Sequence, residues 1–491
     1  MPSFPHSAYS RTVLVPAYED SARYLFEPML ASHEAHALML AEAGIISQEN
    51  AAAILRAVAQ IRAESVENMG YVPGIEDLFF RVEGRIIELA GADFGGNLQL
   101  ARSRNDLGHA LARMAFRHML LGLDADLLDL RRAVQKLAHE HIDTIMPGYT
   151  HTQPAQPVTF AHYLAGVLTA LGKDQARIQA AYANMNESPL GAAALTGTGF
   201  PIDRARVALL LGFDTVIAST QHCIGAGDHL TDSAAAIQSL AIQLSRITHD
   251  LLVRATKETN ALRIDDSFIQ ISSIMPQKRN PVVLEHLRAR LSRTLGYAQT
   301  VVLLCHSIPY GDTQDIEDEI MPPLVAAIAA MRECITLYTS VFATLTLNKE
   351  HLRAQAAQGF TTATELADSL VRETGLPFRL AHKVAATMVR NAVADGLPSD
   401  QLTLERLQAA AQTAVGYTLD FSEAQFTRAL DAQHFVAVRN GLGGVAPTAT
   451  SAVLDATAQV LAVDEHWLES AQNRLAAADA MRRSAAAQML A

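Results

Sequence analysis

His229-Leu230-Thr231-Asp232-Ser233-Ala234-Ala235-Ala236-Ile237-Gln238-Ser239-Leu240-Ala241-Ile242-Gln243-Leu244-Ser245-Arg246-Ile247-Thr248-His249-Asp250-Leu251 is the stretch that decides the fold. Leu230, Ile237, Leu240, Leu244, Ile247 and Leu251 follow one another at spacings of seven, three, four, three and four. That is the seam of a helix packed lengthwise against other helices. Neither Gly nor Pro interrupts it between His229 and Asn260. The segments after Pro281 and after Pro323 read as similarly long helices. Helices of about 25 residues are each ~37 Å long, and several together make a long antiparallel bundle.

Outward from that seam the pattern stays helical. Residues 22–69 are helical with a break at Gly44-Ile45-Ile46-Ser47, where Ser47 can cap the next helix. Tyr71-Val72-Pro73-Gly74 precedes a helix over 76–90. A loop with Gly95-Gly96 leads into Ala101-Arg102-Ser103-Arg104-Asn105-Asp106 and a helix running towards His141. Met146 to Pro157 reads as a Pro-rich connection between two long helices. Residues 187–203 form a Gly- and Thr-rich loop. Residues 1–20 look irregular. Shorter helices follow Pro377 and Gly396-Leu397-Pro398-Ser399, and the Ala/Arg-rich tail after Leu475 reads as a frayed helix end. No alternating strand–helix pattern and no short repeat is present. The expectation is an all-α chain of three helical domains, at 1–110, 111–365 and 366–491, the middle one being the long bundle.

Composition narrows the function. Hydrophobic residues make up 49% and charged residues 18%, enough apolar material for a large core. A net charge of −12 argues against a nucleic-acid partner, which requires basic patches. Three cysteines, Cys223, Cys305 and Cys334, form neither a disulfide framework nor a zinc motif. Met1 to Arg11 lacks the apolar core of a signal peptide, and no uninterrupted apolar run approaches ~18 residues. A cytoplasmic protein without a membrane partner is expected.

The chemistry concentrates in Ser272-Ser273-Ile274-Met275-Pro276-Gln277-Lys278-Arg279-Asn280-Pro281. Two hydroxyls, a lysine and two amides lie between backbone-restricting prolines, a composition suited to holding an anion and delivering a base. Ser272 is the candidate base, provided that Lys278 and loop amides stabilise its alkoxide. The plainer reading is a pair of serines capping a loop. Arg102 to Asp106 supplies guanidinium groups able to grip a carboxylate in bidentate fashion, or simply starts a helix. Thr150-His151 offers a hydroxyl and an imidazole in a Pro-bounded loop. Glu285 lies one turn into the next helix, either polarising a histidine or complementing the helix dipole.

These segments resemble the argininosuccinate lyase branch of the fumarase/aspartase superfamily. Arg102 to Asp106, Met146 to Gln153 and Met275 to Pro281 carry the resemblance. Pro189-Leu190-Gly191, Pro201 to Arg204, Ala363 to Asp368 and Gly443 to Pro447 extend it over about residues 30 to 450. The resemblance implies an all-α homotetramer with a 20-helix core and active sites shared by three subunits. It implies cleavage of a C–N bond beta to a carboxylate, releasing fumarate, without a metal or organic cofactor. It implies Ser272 as base, Lys278 as anion support, and His151 paired with Glu285 on the acid side. Ser103, Arg104, Asn105, Thr150, Ser273, Met275, Lys278 and Asn280 would surround the fumarate portion.

The departures from that family concern the other half of the substrate. Gln99-Leu100-Ala101 stands where the family has His-Thr-x. Ile271 replaces a glycine, Val282 an Asp and Gly227 an arginine. Asp312, Glu317 and Ile320 occupy positions of the usual Tyr, Gln and Lys. Gln99 and Asp312 are therefore expected as substrate-binding positions of altered chemistry. The expected substrate is an N-substituted aspartate other than argininosuccinate, of the kind that ethylenediaminedisuccinate lyases cleave. The alternatives are a C–O lyase making fumarate and a hydroxy acid, argininosuccinate lyase itself, and a crystallin-like structural protein. A protein freed from catalysis could lose Ser272, His151, Lys278 or Glu285, and all four are present.

Overall fold

Helices α1 (Val15–Tyr24), α2 (Phe26–Glu42), α3 (Gln48–Glu64) and α4 (Leu78–Ala90) open the chain in a computed structural model describing residues 4–491. The irregular start expected for residues 1–20 is instead helical from Ser7 onward; residues 1–3 lie outside the described part. The segment is held in place from a distance: Tyr18 is buried and donates its hydroxyl to the carbonyl of Met69. Ser47 caps α3 as expected, its Oγ accepting the N–H of Asn50.

The bundle follows. It comprises α5 (Arg104–Glu140), a ribbon of β1 (Ile145–Thr150) and β2 (Gln153–Thr159), α6 (Phe160–Met185), α7 (Asp228–Arg254), α8 (Val282–Cys305) and α9 (Met321–Thr344). The seam predicted in α7 is its buried face: Leu230, Ile237, Leu240, Leu244, Ile247 and Leu251 are all buried. Each such side chain is worth about 1.5–3 kcal/mol on leaving water.

Polar cross-links fix the directions. Tyr163 meets Asp250, Asp174 meets Ser239 and Asn184 meets Asp232, so α6 and α7 are antiparallel. Gln238 meets Gln299 and Gly227 lies against Cys305, so α7 and α8 are antiparallel too. One end of the bundle therefore holds the starts of α5, α7 and α9. The other holds the β1–β2 ribbon and the start of α8.

After the bundle, α10 (Ala363–Thr374), α11 (Phe378–Ala394) and α12 (Leu404–Val415) pack into a separate apolar cluster running from Leu366 to Ala429. The chain then returns. Helix α13 (Pro447–Leu490) places Leu454, Leu461, Leu468 and Leu475 in the bundle core, and Ala485 and Met489 against the N-terminal cluster. The tail after Leu475 is thus ordered helix rather than a frayed end. Arg482 is buried and paired with Glu34 at 2.9 Å and with Asp479. Helix α5 runs straight through position 110, its Leu107 to Met114 in the N-terminal cluster and its residues from Phe116 in the bundle.

The fold is all-α with short ribbons. Among the described residues one helix, Asp315–Thr344, is by length and composition apolar enough to cross a membrane; half of its most apolar window is buried.

Candidate active site

The loop singled out in the sequence is closed by a miniature ribbon. β3 (Gln270–Ile271) pairs antiparallel with β4 (Arg279–Asn280), Ile271 opposite Arg279. Ser272 and Lys278 therefore stand at the two feet of the loop. Ile271, extended and exposed, needs no positive φ in this setting. Ser272 Oγ accepts two backbone N–H groups, from Ile274 at 3.3 Å and Met275 at 3.0 Å. Such donors favour a negatively charged oxygen over a neutral one. Ser273, Met275 and Lys278 are exposed and Asn280 half-buried, so the loop lies open at the surface of the chain. Pro281 ends the loop at the N-cap of α8, with Glu285 exposed in the first turn.

The Pro-rich segment expected as a connection is a hairpin. Its two-residue turn is His151-Thr152, with φ of 53° and 61°. Positive φ at both positions defines the turn type that matches strand twist, usually filled by Asn or Gly. Here it thrusts His151 outward at the tip, exposed, with Thr150 beside it at the end of β1. The hairpin is bulged between Gly148 and Tyr149, and a Cβ at Gly148 would lie 2.9 Å from Val158 and 3.1 Å from the Gln156 carbonyl. The prolines hid this ribbon from periodicity, because prolines belong on exposed ribbon edges yet weaken a strand pattern.

At the opposite end of the bundle, Ser103 caps α5 in a capping box with Asp106. Asp106 also accepts the N–H groups of Gly191 (2.9 Å) and Ala193 (3.0 Å), which pins the 187–203 loop against the helix start. Asn105 reaches Ala194 O at 3.5 Å. Arg104 is not free: its guanidinium lies 2.7 Å from Asp77 and 3.4 Å from Glu76, above the ring of Phe80 at 4.8 Å. Gln99 does not reach this cleft, because its side-chain oxygen accepts from Arg102 at 3.0 and 3.3 Å. Asp312 does come here, 3.8 Å from His109.

Sequence reasoning named Arg104 and Glu317 but missed Asp77, His109, His229 and Asp318, which line this cleft with them. Burial, reinforced by Asp312 and Asp318, pushes Glu317 up to about 8. Burial and then Asp77 push Asp318 to about 6. Burial beside Arg113 lowers His109 to about 4 and His229 to about 3. The available signal was Asp315-Ile316-Glu317-Asp318-Glu319, four acids in five residues directly before an apolar helix.

A pH dependence follows. Above pH 7 both histidines are neutral in the fold and mostly neutral when unfolded. Glu317 keeps its proton in the fold up to about 8 but loses it near the ordinary carboxylate value when unfolded. Its contribution to stability is therefore present below the ordinary carboxylate value, is lost progressively as pH rises towards 8, and changes no further above it. The thermal midpoint should fall between pH 7 and 8 and level off above, and Glu317→Gln should flatten that fall by roughly 2 °C. A wild-type midpoint that rises over this range, or a slope unchanged by the substitution, would contradict the assignment.

Within one chain the predicted residues thus form two groups. Ser272, Ser273, Met275, Lys278, Asn280 and Glu285 share one bundle end with His151 and Thr150. Among the described residues no hydrogen bond or ion pair joins His151 to Ser272, Lys278 or Glu285. Ser103, Arg104, Asn105 and Asp312 sit at the other end, separated by the 27 residues of α7, about 40 Å.

A lyase family model matches residues 17–296, more than half of the chain, and a model of the argininosuccinate lyase C-terminal region matches residues 360–437. The bundle and its loops are those of a lyase, and the chain belongs to the fumarase/aspartase superfamily, in its argininosuccinate lyase branch. Argininosuccinate lyase of Methanosarcina barkeri is 36% identical over 431 residues, covering 87% of this chain and 86% of that one. Argininosuccinate lyase 2 of Agrobacterium fabrum is 37% identical over 447 residues, 90% and 88% of the two chains. An EDDS lyase variant solved with bound fumarate superposes with a TM-score of 0.87 at 31% identity, over 99% of this chain and 98% of that one. The protein is a fumarate-releasing carbon–nitrogen lyase acting on a small molecule.

Proposed function

We propose that the enzyme cleaves an N-substituted aspartate other than argininosuccinate by β-elimination, in sites built from more than one copy of the chain. The observation that carries the chemistry is the pair of backbone N–H groups on Ser272 Oγ. They stabilise the alkoxide that a serine base requires, with Lys278 at the other foot of the loop adding positive charge. Ser272 takes the proton from the carbon next to the carboxylate that does not share a carbon with nitrogen. The electron pair left behind spreads into that carboxylate, then forms the double bond of fumarate as the C–N bond breaks. Nitrogen leaves with the bonding pair and receives a proton from the acid side, assigned to His151 with Glu285 as its partner. Ser103, Asn105, Thr150, Ser273, Met275 and Asn280 would hold the fumarate portion. Arg104 would serve it by exchanging Asp77 for a substrate carboxylate.

Assembly is part of the same reading. The two groups of residues stand ~40 Å apart in one chain, so a complete site needs the opposite bundle end of another copy. A homotetramer with three-subunit sites supplies it. The outer faces of the bundle support this: Ile242, Val253 and Leu303 are 49%, 46% and 63% exposed on α7 and α8. Three free cysteines support a reducing, cytoplasmic setting. The substrate reading is tested by following fumarate absorbance while the purified protein is given argininosuccinate, ethylenediaminedisuccinate, iminodisuccinate and carboxymethyloxysuccinate. Release from ethylenediaminedisuccinate or iminodisuccinate, with argininosuccinate slower than either, is the expected result. Release only from carboxymethyloxysuccinate would make the enzyme an ether lyase, and release only from argininosuccinate would overturn the substrate reading.

A further inference from the structure

The cleft at the Arg104 end carries more carboxyl groups than its cations can pair. Asp77, Asp312, Glu317 and Asp318 face one guanidinium, and that guanidinium is already engaged by Asp77 and Glu76. A cluster of acids alone proves nothing, but a second observation points to a ligand. His109 is only 4% exposed, lines the cleft, and has no hydrogen-bond partner for its Nε2, 3.8 Å from Asp312 Oδ1. Asp312 Oδ1 and Thr313 Oγ1 are likewise buried and unpartnered. His109 Nε2 and Asp312 Oδ1, buried and facing each other at the cleft, mark a place suited to a further polar partner.

A donor with positive charge matches the surplus of carboxyl groups best. An ammonium offers three N–H donors and meets carboxylates without a fixed coordination geometry. A metal ion would demand converging ligands, and no group of three or more His, Cys, Asp or Glu suited to a metal occurs among the described residues. An anionic ligand would meet carboxylates on every side but that of Arg104. Leu107, Ile316 and Ile320 supply an apolar wall for a short methylene chain.

We propose that this cleft receives the departing amine, and that the amine carries a distal ammonium and no carboxylate, held between Asp312, Glu317 and Asp318. The substrate class is then an N-(aminoalkyl)aspartate, and the products are fumarate and an alkyl diamine. This rests on the elimination reading above and sharpens it, because argininosuccinate and the disuccinates all place carboxylates at the distal end. Burial and the neighbouring acids keep the proton on Glu317, and a bound ammonium ionises it and releases that proton.

The test runs the reaction in the addition direction with fumarate and three amines: 1,3-diaminopropane, propylamine and β-alanine. Diaminopropane should consume fumarate roughly 30-fold more efficiently than propylamine, in line with a charge-assisted contact, and β-alanine should be slowest. Glu317→Gln should narrow the diaminopropane-to-propylamine ratio to within about threefold. Equal rates for the first two amines, a faster β-alanine, or a ratio unchanged in Glu317→Gln would overturn the proposal. Calorimetry with 1,3-diaminopropane separates this from the elimination reading. Binding to the wild type at pH 7.5 with proton release, weakened in Glu317→Gln, supports the subsite even if no amine is added to fumarate. Absence of binding, or equal binding to both proteins, overturns it even if other amines react.

Discussion

Ser272→Ala should reduce turnover at least ~10³-fold while leaving fold and assembly intact, since it removes the group that accepts the carbon-bound proton. The side chain's structural work is slight. Ser272 Oγ only receives the Ile274 and Met275 amides in a surface loop, and those amides can turn to water. A capping serine lost from such a loop would lower stability by about 1 kcal/mol and leave turnover nearly unchanged. The large effect on rate beside a small effect on the thermal midpoint is what separates the two roles. Retention of more than a tenth of wild-type activity would remove Ser272 from the mechanism.

Argininosuccinate should be the poorest of the N-substituted aspartates, at least ~100-fold below the best in kcat/KM, a difference of about 2.7 kcal/mol in transition-state binding. Its leaving group ends in an α-amino acid, which requires partners for a carboxylate as well as an ammonium. The cleft supplies Asp312, Glu317 and the buried, apolar Ile320. Burying the distal carboxylate there would leave it unpaired beside like charge, at a cost of several kcal/mol. Loss of discrimination should accompany Asp312→Asn and Glu317→Gln together. Argininosuccinate emerging as the best substrate at an ordinary enzymatic rate would show that the substitutions around the leaving group do not set specificity.

The parts of this molecule legible in its sequence are those governed by short-range pattern. The spacing of Leu230 through Leu251 specified a buried helical seam because each residue's face follows from its neighbours three and four positions away. The Ser272–Pro281 loop was legible for the same reason: its hydroxyls, lysine and prolines act within ten residues. What escaped was held by long-range contacts. Tyr18 turns an irregular-looking start into helix through Met69, 51 residues on, and Arg482 fixes the tail through Glu34, 448 residues back. The β1–β2 ribbon was masked by Pro147, Pro154 and Pro157. Arg104 read as a free carboxylate clamp, but Asp77 from the loop before α4 meets it, and Gln99 turned out to serve Arg102. The acidic cleft combines Asp77, Glu317 and Asp318 from segments some 240 residues apart, so no local motif announces it.

The central claim is a fumarate-releasing site composed from opposite ends of different chains, and subunit exchange tests it most directly. One protein carries Ser272→Ala; the other carries Arg104→Leu with Asn105→Ala; each is inactive alone. If the loop and the α5 start of one site belong to different copies, random exchange gives sites with both motifs intact. Activity should return to about a quarter of wild type on equal mixing, the chance that each of two independent contributors is unmodified. A chain that stays monomeric while active, or demonstrated exchange without recovery, would contradict the account.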